Sequence, residues 1–299
     1  MHNVCLDSCE VIHGCFNFSG AVDSVAMVEL YMGNYPMMPV VLENGNLFVQ
    51  MDNVLQTVTG GPLNDRGFGN WIAKDWKNSG LDSATVETVQ PLTTQRNDDG
   101  TVTATMTVVN RYAKGEMATA YSCTMDSQGN VDFQATYTPS GELPPLPCMG
   151  NTFTLPKQFT RVEWYGMGPY DTYPDRLEAA HIGLWSSSVD QQYVHYPRPQ
   201  DSGNHQQTVM VKLTDNKGKG WMITAEDGQH FSFSALPYSI AQLSTTAHDC
   251  DLVAEDNVYL NIDAAVMGIG NSSCGPGVLS QYAIAQKPHT LHLRFTKLK

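Results

Sequence analysis

The chain has 299 residues, only 16% of them charged, a formal net charge of -13 and a pI of about 4.9. A surface of that sign repels phosphate backbones and anionic lipid, which argues against nucleic acid and membrane partners and favours neutral substrates or proteins. The length suffices for a full core, and all-β sandwiches of roughly 200–250 residues commonly form one domain, so one large domain is expected.

The first twenty residues, MHNVCLDSCEVIHGCFNFSG, lack a basic leader and a continuous apolar run, and no stretch approaches the roughly 18 apolar residues of a spanning helix. The chain is therefore expected to be soluble and cytoplasmic. Its cysteines, Cys5, Cys9, Cys15, Cys123, Cys148, Cys250 and Cys274, are odd in number and share no repeated spacing, which fits reduced thiols. Cys5, Cys9 and Cys15 with His13 do not follow a standard zinc spacing, so neither a metal nor another cofactor is expected. Residues 1–39 show no sustained hydrophobic period and read as an irregular N-terminal extension to a domain over residues 40–299.

From Val40 the pattern changes. Residues 40–42, a turn at 43–45 and the run 47–51 (LFVQM) predict a hairpin. A short helix is predicted around 71–78, anchored by Trp71, Trp76 and Leu81 and stopped by Gly80. Alternating runs follow at 84–89, 102–112, 117–125 and 131–138, separated by turn clusters, and this period-two pattern predicts an antiparallel sandwich or barrel. The link LPPLP at 143–147 cannot sit in a central strand and is expected to cross between sheets. Strand-like runs resume at 159–164, 208–214, 220–225, 231–235, 259–263 and 290–296, whereas 180–184 and 240–247 fit helix or strand equally.

One stretch stands apart, EWYGMGPYDTYPDR from Glu163 to Arg176. Two Gly, two Pro and an Asp-x-Tyr-Pro-Asp run predict a rigid loop. Aromatic faces beside carboxylates and a guanidinium suit a sugar, whose C–H face packs on a ring while its hydroxyls need fixed polar partners. The same residues also fit a packed corner in which Asp175 and Arg176 pair and the tyrosine hydroxyls bond to backbone.

This stretch resembles the Trp-Tyr-Gly-x-Gly-Pro-x-Glu-x-Tyr-Pro-Asp-Arg signature of the C-terminal small-chain domain of family-two, lacZ-type β-galactosidases. Further matches follow in the family's order: YPRPQDSGN from Tyr196, FSFSALPYSIAQL from Phe231, His248–Leu252, and LNIDAAVMGIGNSSCGP from Leu260. Upstream, Pro62–Asp82 is similar to the start of that domain, and the resemblance covers about residues 40 to 298. It implies a large antiparallel β-sandwich, a supersandwich of galactose mutarotase-like shape. In the family this domain closes one side of a galactoside pocket built mainly by a (β/α)8 barrel, and in split enzymes it is a separate small subunit.

Glycoside hydrolysis needs two carboxyl groups facing each other across the scissile bond. In the family both belong to the barrel, and nothing here reads as eight βα units. No catalytic residue is therefore expected in this chain. The resemblance gives Asn271, Ser273, Cys274, His248, Asp175, Arg176 and Tyr165 as the candidate substrate-binding set. Cys274 stands where the family has a Trp that stacks on the sugar, and a thiol cannot supply that face, worth on the order of 1 kcal/mol. Cys148 replaces an Arg and removes its fork of donors, while Asp171 and Asp201 replace Glu with a shorter reach.

Asp175–Arg176 reads as an ion pair ordering the loop in preference to a ligand clamp. His248 fits either a buried, hydrogen-bonded histidine or a pocket residue, and His205 is expected at the surface. The leading functional expectation is a β-galactosidase small subunit, working with a separate barrel subunit on galactosides and inactive alone. The alternatives are a stand-alone carbohydrate-binding sandwich and a mutarotase-like aldose epimerase, in which His248 with Glu163 or Asp201 would serve as acid and base.

Overall fold

The computed structural model describes residues 26–32, 35–42, 52–53, 72–196, 199–271 and 277–299. The chain divides into two units, Met1–Asn46 and Leu47–Lys299. In the first, strands β1 (Ala26–Met32) and β2 (Tyr35–Leu42) form an antiparallel hairpin. Part of the stretch expected to be irregular is therefore paired strand; the Met, Pro and Tyr residues of β2 hid it, because Pro36 and Pro39 interrupt the strand pattern while an edge strand tolerates them. The hairpin run expected at 47–51 and Trp71 lie outside the described residues.

The second unit opens with β3 (Asp52–Asn53) and α1 (Ile72–Asn78), followed by β4 (Thr85–Arg96), β5 (Val102–Tyr112), β6 (Gly115–Met125) and β7 (Val131–Gly141). Next come β8 (Cys148–Pro156), β9 (Arg161–Gly168), β10 (His181–Ser188), β11 (His205–Thr208), β12 (Met210–Thr214) and β13 (Gly220–Ala225). The chain closes with β14 (Phe231–Leu236), α2 (Ile240–Thr245), β15 (Asn257–Val266) and β16 (His289–Leu298). The strands form a nine-stranded sheet, β10-β9-β12-β13-β16-β7-β6-β5-β4, and a five-stranded sheet, β11-β14-β15-β8-β3. Every pairing is antiparallel. The fold is thus the expected all-β antiparallel sandwich.

Alternation explains the layering. In β5, β6 and β7 the residues Ala104, Met106, Val108, Met117, Tyr121, Phe133, Ala135 and Tyr137 are buried, and the residues that alternate with them, such as Thr103, Thr105, Gln134 and Thr136, lie on the other face of the pleat. The two inner faces meet through aromatic contacts. Phe133 on β7 lies edge-on to Phe153 on β8 at 5.8 Å between ring centroids, and Phe153 packs on Phe295 of β16 at 5.2 Å. Burying each such ring stabilises the fold by roughly 1.5–3 kcal/mol. Between the sheets, Tyr137 donates to the Asn151 carboxamide oxygen and the Asn151 amide donates to the Tyr121 hydroxyl at 3.2 Å.

The proline link joins β7 of the wide sheet to β8 of the narrow one, as expected. It also anchors α1, because the Trp76 indole donates to the Pro145 carbonyl at 2.7 Å while Trp76 and Leu81 are buried. Gly80, at φ +73°, ends that helix. The two ambiguous runs resolve into one of each kind. Residues 181–188 form edge strand β10, and 240–245 form α2, whose N-cap Ser239 hydroxyl accepts from the Gln242 amide at 3.2 Å.

Candidate functional site

The stretch expected to be a loop is half strand. Residues up to Gly168 belong to β9, paired with β10 on one side and β12 on the other. The glycines serve close packing here: a Cβ on Gly166 would come within 2.7 Å of the Thr208 hydroxyl and 2.8 Å of its Cα. Trp164 points inward, 1% exposed, against His205 at 4.2 Å and Phe233 at 6.0 Å between ring centroids. Its indole N–H donates to the Met167 carbonyl at 3.0 Å.

Past a cis Gly168–Pro169 peptide the chain turns into the loop proper. The Thr172 amide donates to the Asn204 carbonyl at 2.6 Å, and the Thr172 hydroxyl accepts from the Gln206 amide at 2.8 Å. Tyr173 is buried below this turn, and the Arg176 amide donates to its carbonyl at 2.8 Å.

The next two side chains reach a second loop, the one that follows β15. The Asp175 carboxylate accepts from the backbone amides of Ile269 at 3.0 Å and Gly270 at 2.7 Å. The Arg176 guanidinium donates to the Gly270 carbonyl at 2.6 Å and to the Asn271 side-chain oxygen at 2.9 Å. Gly268 makes room for the carboxylate, since a Cβ there would sit 2.8 Å from the carboxyl carbon of Asp175. The Asp175 carboxylate and the Arg176 guanidinium approach each other only to 4.0 Å, although the guanidinium also donates to the Asp175 backbone carbonyl at 3.3 Å. Each charge is committed to the second loop, in charge-assisted bonds that are stronger than neutral ones, so the pair braces one loop against the other.

The structure therefore brings together Asp175, Arg176 and Asn271. Tyr165 lies on the opposite face of β9 from Trp164, 45% exposed. His248 is exposed at the head of the 3-10 turn Asp249–Asp251, and its carbonyl accepts from the Asp251 amide at 3.0 Å, so it is not the buried histidine that was one of its two readings. Ser273 and Cys274 lie outside the described residues, as do Cys5, Cys9, Cys15 and His13. Glu163 is ion-paired to Lys212 on the neighbouring strand. Cys148, at the start of β8 opposite Val266, is a core residue.

His205 corrects the sequence reading, which put it at the surface. It is 2% exposed, sandwiched between Trp164 and Phe233, with Nε2 2.7 Å from the Gln192 side-chain oxygen. Burial pushes its pKa down to about 4, so the ring is neutral near pH 7. The alternation that marks an inward residue is broken here by Gln207, at φ +53°, where the register between β11 and β14 shifts.

Sequence reasoning also missed the acidic, polar floor under the two loops. On the face of the narrow sheet turned away from Phe233 lie Ser232, Ser234, Asn261 and Asp263, all buried. The Thr152 hydroxyl donates to the Asn261 side-chain oxygen at 2.7 Å, and the Asn261 amide donates to Ser234 at 3.0 Å. The signal was present in FSFS (from Phe231) and LNID (from Leu260), whose alternation places a polar residue at every second position. Burial raises the pKa of Asp263 well above the usual carboxylate range, and the nearby Asp201 adds to it. Asp201 is pushed up to about 6 by burial, with Asp171 adding to the rise. Burial raises Asp171 as well, against a hydrogen bond from the Gly203 amide that lowers it. The Tyr173 hydroxyl, buried among these three carboxyls, is raised well above its ordinary value. Carboxyls raised in this way keep their protons to higher pH than exposed ones. Among the described residues, no group of three or more His, Cys, Asp or Glu side chains is arranged to hold a metal ion, and no helix is long and apolar enough to cross a membrane.

Comparison with known proteins decides the family. The family model described as "Beta galactosidase small chain" matches residues 47–296, and a domain of unknown function (DUF4369) matches residues 1–66. The chain belongs to the β-galactosidase small-chain family. It is 31% identical to the Vibrio cholerae β-galactosidase over 221 residues, covering 74% of this chain and 20% of that protein. With the Lactobacillus delbrueckii subsp. bulgaricus β-galactosidase it shares 31% identity over 233 residues, 77% of this chain and 22% of that one. With the Staphylococcus xylosus enzyme it shares 35% over 171 residues, 56% of this chain and 16% of that one. This chain thus spans about a fifth of the length of these curated relatives. Among solved structures, a candidate aldose 1-epimerase of Escherichia coli K12 aligns over 70% of this chain and 69% of its own at 10% identity, with a TM-score of 0.29.

Proposed function

We propose that this chain is the small subunit of a β-galactosidase, cytoplasmic and inactive alone, which completes the galactoside pocket of a separate (β/α)8 catalytic subunit. The observation that carries this reading is the brace at Asp175, Arg176 and Asn271 in a chain that matches the small-chain family over residues 47–296 and spans about a fifth of its relatives' length. The brace is rigid and polar, and it lies where the family resemblance puts the sugar-facing loop. The carboxylates of the central stretch are engaged otherwise, Asp175 by two backbone amides and Glu163 by Lys212, which supports a chain whose catalytic carboxyls come from elsewhere. Asp175 and Arg176 hold the loop that carries Asn271, and Asn271 offers its amide to a sugar hydroxyl.

The test is hydrolysis of an aryl β-galactoside by the tagged chain purified from its native host, beside the same chain made recombinantly alone. Activity in the native preparation only, with a second polypeptide present, is the expected result. Equal activity in both preparations, or none in either, overturns the proposal.

A further inference from the structure

Among the described residues, His292 on β16 is the one histidine whose two ring nitrogens both lie against carboxylates. Its Nδ1 is 2.6 Å from an Asp227 oxygen, and its Nε2 is 3.1 Å from each oxygen of Asp132. Asp132 stands on β7, the strand beside β16 in the wide sheet. Asp227 stands in the turn 226–229, which carries the chain from β13 of the wide sheet to β14 of the narrow one. In that turn the Gln229 amide donates to the Glu226 carbonyl at 3.0 Å, with Asp227 at φ +54° and Gly228 at φ +67°. This is the two-residue form with both central residues left-handed, which Asp and Gly accept. The Glu226 amide also donates to the His292 carbonyl at 3.0 Å. Main chain and side chain of one histidine therefore both hold the turn.

A carboxylate oxygen only accepts, so both ring nitrogens must donate, and only the imidazolium has two N–H groups. A neutral ring would turn a lone pair toward one of the two carboxylates. The other charges nearby do not replace the ring's own. Arg294, two residues along β16, donates to Asp126 at 2.7 Å, and Glu226 on the turn accepts from the Thr224 hydroxyl at 3.2 Å. Gln134, opposite His292 on β7, and Thr224 on β13 carry no charge. The Cys123 thiol on β6 is pushed up to about 12 by burial, with Asp132 adding to the rise, and stays neutral. His230 follows the turn and is exposed. Burial lowers the pKa of His292, but hydrogen bonds and charge from Asp227 and Asp132 outweigh it and raise the value above the ordinary 6.5.

We propose that His292 is a pH-operated latch: as an imidazolium it clips the 226–229 turn to the wide sheet, and on losing its proton it releases Asp227 and frees that turn. The folded ring holds its proton more tightly than the unfolded one. The latch is therefore fully closed below pH 6.5 and opens as pH rises through the raised value. Asp227 is the arm that leaves, because its side chain is 67% exposed against 38% for Asp132 and regains water more readily. The neutral ring keeps its Nε2–H on Asp132. β13 and β14 retain their ladders with β12, β16 and β15, so the opening is confined to the turn. The latch belongs to this chain alone and does not depend on the proposed subunit role.

Nitrogen NMR of the imidazole, read beside hydrogen exchange of the turn's amides, tests this in the full chain. The expected result is two N–H signals on His292 below pH 6.5 and a titration midpoint above 6.5. Exchange at Glu226 and Gln229, corrected for its intrinsic pH dependence, is expected to quicken about tenfold or more above that midpoint. Ala225, whose amide donates to the Val209 carbonyl at 2.9 Å, should not change. Asp227→Asn is the decisive variant, because its amide can donate to Nδ1 while Nε2–H stays on Asp132, so that a neutral ring satisfies both neighbours. It is expected to lower the midpoint and to make exchange in the turn independent of pH. The latch is overturned by a single N–H on the ring below pH 6.5 or by a midpoint at or below that value. Exchange at Glu226 and Gln229 that is the same on both sides of the midpoint, or a D227N chain that keeps the pH dependence, overturns it equally.

Discussion

β9 and β4, near the two ends of one sheet, show what the strand pattern is used for. β9 buries Val162, Trp164 and Met167 and continues into a loop whose charges hold a second loop, whereas only Leu92 of the twelve residues of β4 is buried. The difference lies in what covers each strand. Trp164 meets Phe233 and His205 of the narrow sheet, while β4 is bounded by threonine rungs and by the exposed pairs of Arg111 with Glu87 and Glu116. Stability and site geometry are concentrated where the sheets overlap, and substitutions across the sheet should grade accordingly.

The largest effect is expected for Trp164→Ala. Emptying a fully buried site of an indole costs about 3–5 kcal/mol, read as a lower urea midpoint; a loss below about 1 kcal/mol would erase the contrast with β4. Asp175→Ala comes next. It removes a charge-assisted acceptor from two backbone amides and is expected to cost about 2–3 kcal/mol, with faster amide exchange confined to Ile269 and Gly270. Unchanged exchange at those two amides would show that the brace does not hold.

Asp201→Asn should act in the opposite direction. The folded pKa of Asp201 is raised to about 6 from 3.8, so the native chain keeps a proton that the unfolded chain releases. Stability therefore falls as pH rises from about 4 to 6 and stays lowered above that window. The asparagine variant is expected to gain about 1–2 kcal/mol at pH 7.5, to gain nothing below pH 4, and to flatten the slope between. Melting curves across that range decide it, and equal Tm values at pH 7.5 would contradict the burial argument. Thr93→Ala, on β4, should have the smallest effect, about 0.5 kcal/mol or less, because an exposed hydroxyl pair exchanges readily with water.

The same contrast shows what the sequence could convey. Runs such as 102–112 and 220–225 coincide with β5 and β13 because alternation and turn residues agree there. The PDR end of the central motif was legible as ordered structure, since Asp and Arg beside proline have few conformations open to them. Its EWYGMG half was not, because its glycines were read as turn-makers, and only the structure shows Thr208 occupying the space a side chain would need at Gly166. The reach of Asp175 and Arg176 to residues 269–271, more than ninety positions away, is written in no local pattern. Nor was the burial of His205, whose strand is only four residues long and irregular in register. The polar alternation of FSFS and LNID was visible, yet what it faces depends on loops that pack over it.

The central claim is that this chain completes another polypeptide's pocket. Its most direct test is reconstitution: the native assembly is separated into its polypeptides, and aryl β-galactoside hydrolysis is measured for the barrel polypeptide alone, for this chain alone, and for the two recombined. The account predicts that recombination restores hydrolysis, that this chain alone has none, and that Asp175→Ala in the recombined pair raises KM more than it lowers kcat. A barrel polypeptide that hydrolyses the substrate equally well without this chain would contradict it.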